Sequence, residues 1–128
     1  FIPRLTREEM IGFGLGEYAD IFLPMLNSLE ESGFPLIDHT VLDTGGEQPD
    51  KVNFYCKKFS EIKPGLTHLL FHPAKETEEL RAITPESYKW RNQDYLSFTN
   101  PRIKDCVEKY DLKLIGYRKI RELIRKNL

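Results

Sequence analysis

Leu66-Thr67-His68-Leu69-Leu70-Phe71-His72-Pro73, introduced by Pro64-Gly65, is the stretch whose reading decides the fold. A turn-forming pair leads into an apolar run, and a proline with no N–H to give a ladder closes it, which is the pattern of a short buried strand. The run ends on a histidine. Parallel α/β sheets carry their ligand-binding and catalytic groups at the carboxyl ends of the strands, so His72 is the expected seat of chemistry. His68 lies four residues back on the same strand face, more than about 13 Å away, and reads as structural.

Working backwards, Pro49-Asp50 opens a helix in which Val52, Tyr55, Cys56, Phe59 and Ile62 form an apolar stripe while Lys57, Lys58 and Glu61 face outward. A helix leading into a strand is the order of a βαβ crossover. Before it, Phe34 to His39 reads as a short extended segment, and Thr40 to Gly46 as a strand end and loop. Asp38, His39 and Asp43 invite a reading as metal ligands. Adjacent strand residues point to opposite faces, however, so Asp38 and His39 do not aim at one ion without a bulge, and a polar loop is the better reading.

Closer to the amino terminus, Thr6-Arg7-Glu8-Glu9 has the form of a capping box and starts a short helical turn. Gly12, Gly14 and Gly16 then break it; their spacing is not that of a phosphate-binding loop. From Glu17 to Ser32, the residues Tyr18, Ile21, Phe22, Met25, Leu26 and Leu29 recur at helical intervals, an amphipathic helix whose apolar stripe is expected in the core and which Gly33 stops. Pro24 predicts a kink or a first-turn position.

Downstream of Pro73 the run Lys75-Glu76-Thr77-Glu78-Glu79 reads as a solvated loop on the active side of the sheet. Thr84-Pro85 predicts a helix start, with Tyr88, Trp90, Arg91, Asp94, Tyr95 and Phe98 on the helix; Arg91 and Asp94, three apart, share a face and are expected to pair. Asn100-Pro101 repeats the cap-plus-proline device ahead of Ile103, Cys106, Val107 and Tyr110. Leu112 to Tyr117 reads as another buried strand. The last helix buries Ile120, Leu123 and Ile124 and is basic outside, a solvated face that suits its C-terminal dipole.

At 128 residues the chain has the size of one domain, and neither a repeat nor an internal boundary is visible between residues 1 and 128. With 19 basic and 20 acidic residues and a net charge of -1, it lacks the positive excess that binds phosphate backbones, so no nucleic-acid partner is expected. The longest apolar runs fall far short of the roughly 20 residues of a membrane span. The chain begins at Phe1, which points to a removed leader or to a piece of a longer polypeptide. Cys56 and Cys106 are too far apart in sequence for a CxxC motif, and two buried free thiols are expected rather than a disulfide. The compartment is left open, the cytoplasm slightly preferred over a secreted or periplasmic location. Three strand candidates, around Leu36, Leu69 and Leu114, are few for an independent doubly wound sheet.

The segment Pro64 to Ala74, then Glu79-Leu80-Arg81-Ala82, Tyr88 through Arg91 to Asp94-Tyr95, and Leu112 to Arg118 together resemble the carboxyl-terminal half of the YdjC-like carbohydrate deacetylases, a polysaccharide-deacetylase-like family. Its most specific parts are the Gly-Leu-Thr strand ending in His-Pro and the Arg-x-x-Asp helix. The resemblance implies an α/β fold of parallel strands alternating with helices, the carboxyl-terminal part of a distorted (β/α) barrel. It also implies hydrolysis of an N-acetyl group from an amino sugar or oligosaccharide, with a divalent metal ion, Mg or Zn, in the complete enzyme. The family's metal ligands belong to the amino-terminal half and have no counterpart in this chain. Matched residue by residue, His72 is the catalytic candidate, protonating the leaving amine or stabilising an oxyanion, and Arg91 is the substrate-binding candidate. A fragment of this kind is expected to be inactive alone and to need its missing amino-terminal half, or another copy, to cover an apolar sheet edge. From a different class, the chain reads as a self-contained small α/β domain that binds a ligand or partner without catalysis.

Overall fold

The structure, a computed structural model, describes residues 2–127. In chain order it contains α1 (Arg7–Gly12), a 3-10 turn (Gly16–Tyr18), α2 (Ala19–Glu31), β1 (His39–Val41), α3 (Lys51–Ser60), β2 (Thr67–Leu69), α4 (Glu78–Ile83), α5 (Tyr88–Phe98), α6 (Pro101–Lys109) and α7 (Tyr117–Asn127). β1 and β2 pair in parallel with α3 between them, so the chain is of the α/β kind with a βαβ crossover at its centre. Two strands do not make a barrel.

Local signals set most of the helix starts. Thr6 and Glu9 form the reciprocal capping box of α1. Asp50 accepts the Asn53 N–H at the head of α3, and Asn100 accepts the Arg102 N–H ahead of Pro101 in α6. α4 begins inside the run Lys75 to Glu79, which the sequence suggested as loop: Thr77 accepts the Leu80 N–H, and Glu78 and Glu79 favour the first turn. Thr84 belongs to the end of that helix, its hydroxyl and N–H both donating to the Leu80 carbonyl, and α5 starts only at Tyr88.

The chain divides into two compact units, Phe1–Thr40 with Ile115–Leu128, and Val41–Leu114. In the first, a bridge between Pro3 and Ile37 runs parallel, and Arg4 joins Glu30 and Asp38. Its buried apolar residues are Met10, Ala19, Leu26, Leu36 and Ile37. The apolar stripe running from Tyr18 into α2 is therefore only partly core: Tyr18, Ile21, Phe22 and Met25 are exposed, while α1 and the 3-10 turn pack on the helix from the side of Ala19 and Leu26 without covering them. Pro24 sits inside α2, which continues through it.

In the second unit α3 packs on α5 and α6 around Tyr55, Phe59 and Ile103, with Val52, Ile62, Leu69, Phe98 and Val107 at the margin. Two expectations are corrected here. Cys56 and Cys106 form a disulfide, with Cα atoms 5.6 Å apart; the apolar faces that carry them face each other, a juxtaposition that 50 residues of separation conceal. Leu112 to Gly116 is not a strand: Leu112 packs at the margin of this core and gives its N–H to the Val107 carbonyl, Leu114 is 83% exposed, and among the described residues no strand pairs with the segment.

Candidate functional site

β2 stops at Leu69, and His72 follows three residues later in irregular chain. Val41 and Thr44 hold the intervening turn: the Leu70 N–H donates to the Val41 carbonyl at 3.0 Å, and the buried Thr44 hydroxyl donates to the Leu70 carbonyl at 2.5 Å. Past this point the sheet has no further strand to offer. Buried amides still need acceptors, and α5 supplies them. The His72 N–H donates to Asp94 Oδ2 at 2.9 Å, the Ala74 N–H to the Arg91 carbonyl at 3.1 Å, and the Glu76 N–H to Asn92 Oδ1 at 3.0 Å. Alternate amides are taken by one helix much as a neighbouring strand would take them. Gln93 holds the other loop, exchanging two 3.0 Å hydrogen bonds with the main chain of Gln48.

Asp94 has no exposed surface, and three groups share its carboxylate. Besides His72, the Tyr55 hydroxyl donates to Oδ1 at 2.6 Å and the Lys51 ammonium lies 3.5 Å from the same oxygen. Lys51 also donates to the carbonyls of Thr44 at 2.7 Å and Gly46 at 2.8 Å, and its charge rests 5.0 Å and 5.5 Å from the rings of Phe54 and Tyr55. A lysine at the first position of a helix opposes the helix dipole. Buried there, it persists because a full carboxylate, two carbonyls and aromatic faces replace its water. Burial, then the hydrogen bond to Asp94 and the negative charge of that carboxylate, push the Tyr55 phenol far above its ordinary value of 10.0.

The His72 ring meets Trp90 edge-on at 5.3 Å, and its Nδ1 is buried without a hydrogen-bond partner. The Arg91 guanidinium covers Trp90 at 5.0 Å, and its Nε donates to the Ser87 hydroxyl at 3.0 Å. The expected pairing of Arg91 with Asp94 is thus not formed: Asp94 points inward to α3 and His72, while Arg91 closes on the start of its own helix. Both predicted site residues, His72 and Arg91, nevertheless touch the same indole. An imidazole, a guanidinium and an aromatic ring together offer a proton carrier, a fixed cation and an apolar surface to a polar ligand.

Asp38, His39 and Asp43 do not assemble into a centre. Asp38 pairs with Arg4 and Asp43 with Lys58, and among the described residues no three His, Cys, Asp or Glu side chains converge to hold a metal ion. The hydrogen bond from Lys58, aided by its charge, lowers the Asp43 carboxyl against the effect of burial. Lys51, Tyr55, Thr44, Asn92 and Gln93 were not singled out by sequence. The available signals were faint: a lysine directly after an N-cap aspartate, a tyrosine on an otherwise apolar stripe whose hydroxyl needs a partner, and the four consecutive polar residues Arg91 to Asp94 inside an aromatic helix.

No family model matches the chain, and no curated protein sequence matches it. No helix among the described residues is long and apolar enough to cross a membrane.

Proposed function

We propose that this chain is the carboxyl-terminal part of a distorted (β/α)-barrel carbohydrate N-deacetylase, acting on N-acetylated amino sugars or oligosaccharides, with β1 and β2 as two of its staves. The single observation that supports this most is the treatment of His72. A histidine just beyond the carboxyl end of a parallel strand has its main chain held by a buried carboxylate and its ring held by a tryptophan that also carries Arg91. In this reading a water adds its oxygen to the acetyl carbonyl carbon, the C–N bond breaks to release acetate, and the imidazole gives a proton to the departing amine, while Arg91 orients the sugar hydroxyls or a neighbouring carboxylate. The family resemblance implies a divalent metal ion, Mg or Zn. Among the described residues no three donors converge to serve as its ligands, so the reading assigns them to a segment outside this chain and routes no step through them here.

The test is acetate release from N-acetylglucosamine oligomers by the polypeptide extended upstream of Phe1, with Mg or Zn supplied. The expected outcome is activity that H72A lowers by at least a hundredfold and that R91A weakens mainly through KM. An extended polypeptide that releases acetate equally well with alanine at position 72 removes this assignment.

A second reading has its own support. Val41–Leu114 carries its own core around Tyr55, Phe59 and Ile103 and a disulfide across α3 and α6, as a self-contained α/β binding domain without catalysis would. A 128-residue chain that is monomeric, unfolds cooperatively and binds a sugar oligomer with no turnover in any extended form favours this second reading.

A further inference from the structure

We infer that Asp94 is the positioning residue of His72, an inference that rests on the reading of His72 as the reacting side chain. Trp90 and Asp94 are four apart and so lie on one face of α5. From that face Asp94 holds the main chain of His72 at 2.9 Å and Trp90 meets its ring at 5.3 Å. One helix therefore grips the residue at both ends.

Two features make the main-chain grip decisive. The buried ring nitrogen, Nδ1, has no hydrogen-bond partner, so no bond from that atom sets the direction of the imidazole. What sets it is the backbone position and the indole. Asp94 itself is immobilised from the far side, because Tyr55 and Lys51 of α3 both engage Oδ1 and leave Oδ2 to His72. The carboxylate is thus a fixed point between α3 and the 72–76 segment, whose amides at Ala74 and Glu76 are taken by Arg91 and Asn92 of the same helix. Releasing Oδ2 from His72 lets the segment shift, and the imidazole shifts with it.

An asparagine offers one acceptor oxygen and one NH2 where the carboxylate offers two oxygens; the Lys51 ammonium, a donor only, draws the amide oxygen to the Oδ1 side, so D94N turns its NH2 toward the His72 N–H and that hydrogen bond is lost. Y55F removes the hydroxyl from Oδ1, where Lys51 remains, and leaves Oδ2 untouched. The experiment is amide hydrogen exchange and ring cross-relaxation by NMR on the full 128-residue chain. In the unmodified chain the His72 amide, outside any strand, should exchange at least about tenfold more slowly than an unstructured amide. In D94N it should exchange at least about tenfold faster than in the unmodified chain, with weakened contact between the His72 and Trp90 rings; Y55F should leave both as they were. Equal effects of D94N and Y55F at His72 overturn the assignment, and so does an unprotected His72 amide in the unmodified chain, which decides the matter even where D94N does not fold. In the acetate-release assay the positioning role lowers kcat with KM unchanged in D94N. An active H72A enzyme there defeats the deacetylase reading while leaving the NMR result standing, so the two failures are told apart.

Discussion

Replacing Lys51 with methionine tests the buried network at its most unusual member. The lysine is 5% exposed and Asp94 is 0% exposed, with 3.5 Å between ammonium and carboxylate. At an effective dielectric of about 20 that attraction is roughly 5 kcal/mol, set against a desolvation penalty of several kcal/mol for each ion. The pair itself therefore contributes little net stability. Removing one partner is a different matter, because the other charge stays buried. Methionine is an unbranched side chain of similar length and leaves an apolar end where the ammonium now lies over Phe54 and Tyr55, so packing changes little and the loss is electrostatic. Asp94 is left with only Tyr55 and His72, and the buried Thr44 loses the ammonium from its carbonyl. The expected loss is about 3–5 kcal/mol, a large part of the ~5–15 kcal/mol that holds a typical domain folded. Urea unfolding followed by fluorescence reads it directly, since Trp90 is the only tryptophan and lies 6.0 Å from the Lys51 ammonium. At an m-value near 2 kcal/mol/M the midpoint should fall by about 2 M. A loss under ~1 kcal/mol, the size of an exposed pair, would refute the reasoning. So would K51M costing the same in a D94N background, where no carboxylate remains to be stranded.

Two further outcomes follow from the same unit. The Cys56–Cys106 disulfide spans 50 residues of sequence, for which the chain-entropy model gives about 4 kcal/mol; reduction, or the C56S/C106S double variant, should lower the urea-derived stability by ~2–4 kcal/mol, and reactive thiols in the folded, unreduced chain would contradict the cross-link. Tyr55 sets an alkaline limit: its folded value is raised above the unfolded 10.0, so its contribution is complete below pH 10 and is lost as pH rises further, when the unfolded chain ionises first. Tyrosinate absorbance should show one of the six tyrosines holding its proton until the fold is lost, and Y55F should flatten the fall in stability above pH 10; an unchanged slope in Y55F rules this out.

Much of the fold was legible where the signal is local. The capping box at Thr6, the caps at Asp50 and Asn100 and the apolar stripe of α3 each rest on a few adjacent residues, and each is present. Errors arose where an apolar run was read without a partner. Leu112 to Tyr117 has strand composition, but a strand needs an edge to pair with, and composition does not supply one. Tyr18 to Met25 has helical spacing, but spacing marks a face without saying that anything covers it. The disulfide is hidden from local sequence for the same reason, since it is the packing of α3 on α6 that brings Cys56 to Cys106. Of the candidate site, His72 and Arg91 were visible as residues and their common contact with Trp90 was not. The partnership proposed for Asp94 was the local one at three residues' distance, whereas its actual partners Tyr55 and His72 are 39 and 22 residues away.

Those distant partners explain why α5 looks so unlike the other helices of its unit. A helix that only covered a core would present an apolar stripe and turn its polar residues to solvent. α5 instead turns Asp94 and Ser97 fully inward and commits Asn92 and Gln93 to the backbone of two loops. Buried polar groups of this kind are stable only when every member is satisfied, so the sequence of α5, the conformation of residues 44–48 and the path of residues 72–76 constrain one another. That mutual constraint falls on the stretch that ends at His72. It gives an irregular segment alternate backbone hydrogen bonds like those of a strand, and so carries His72 past the end of a two-stranded sheet with its main chain still paired.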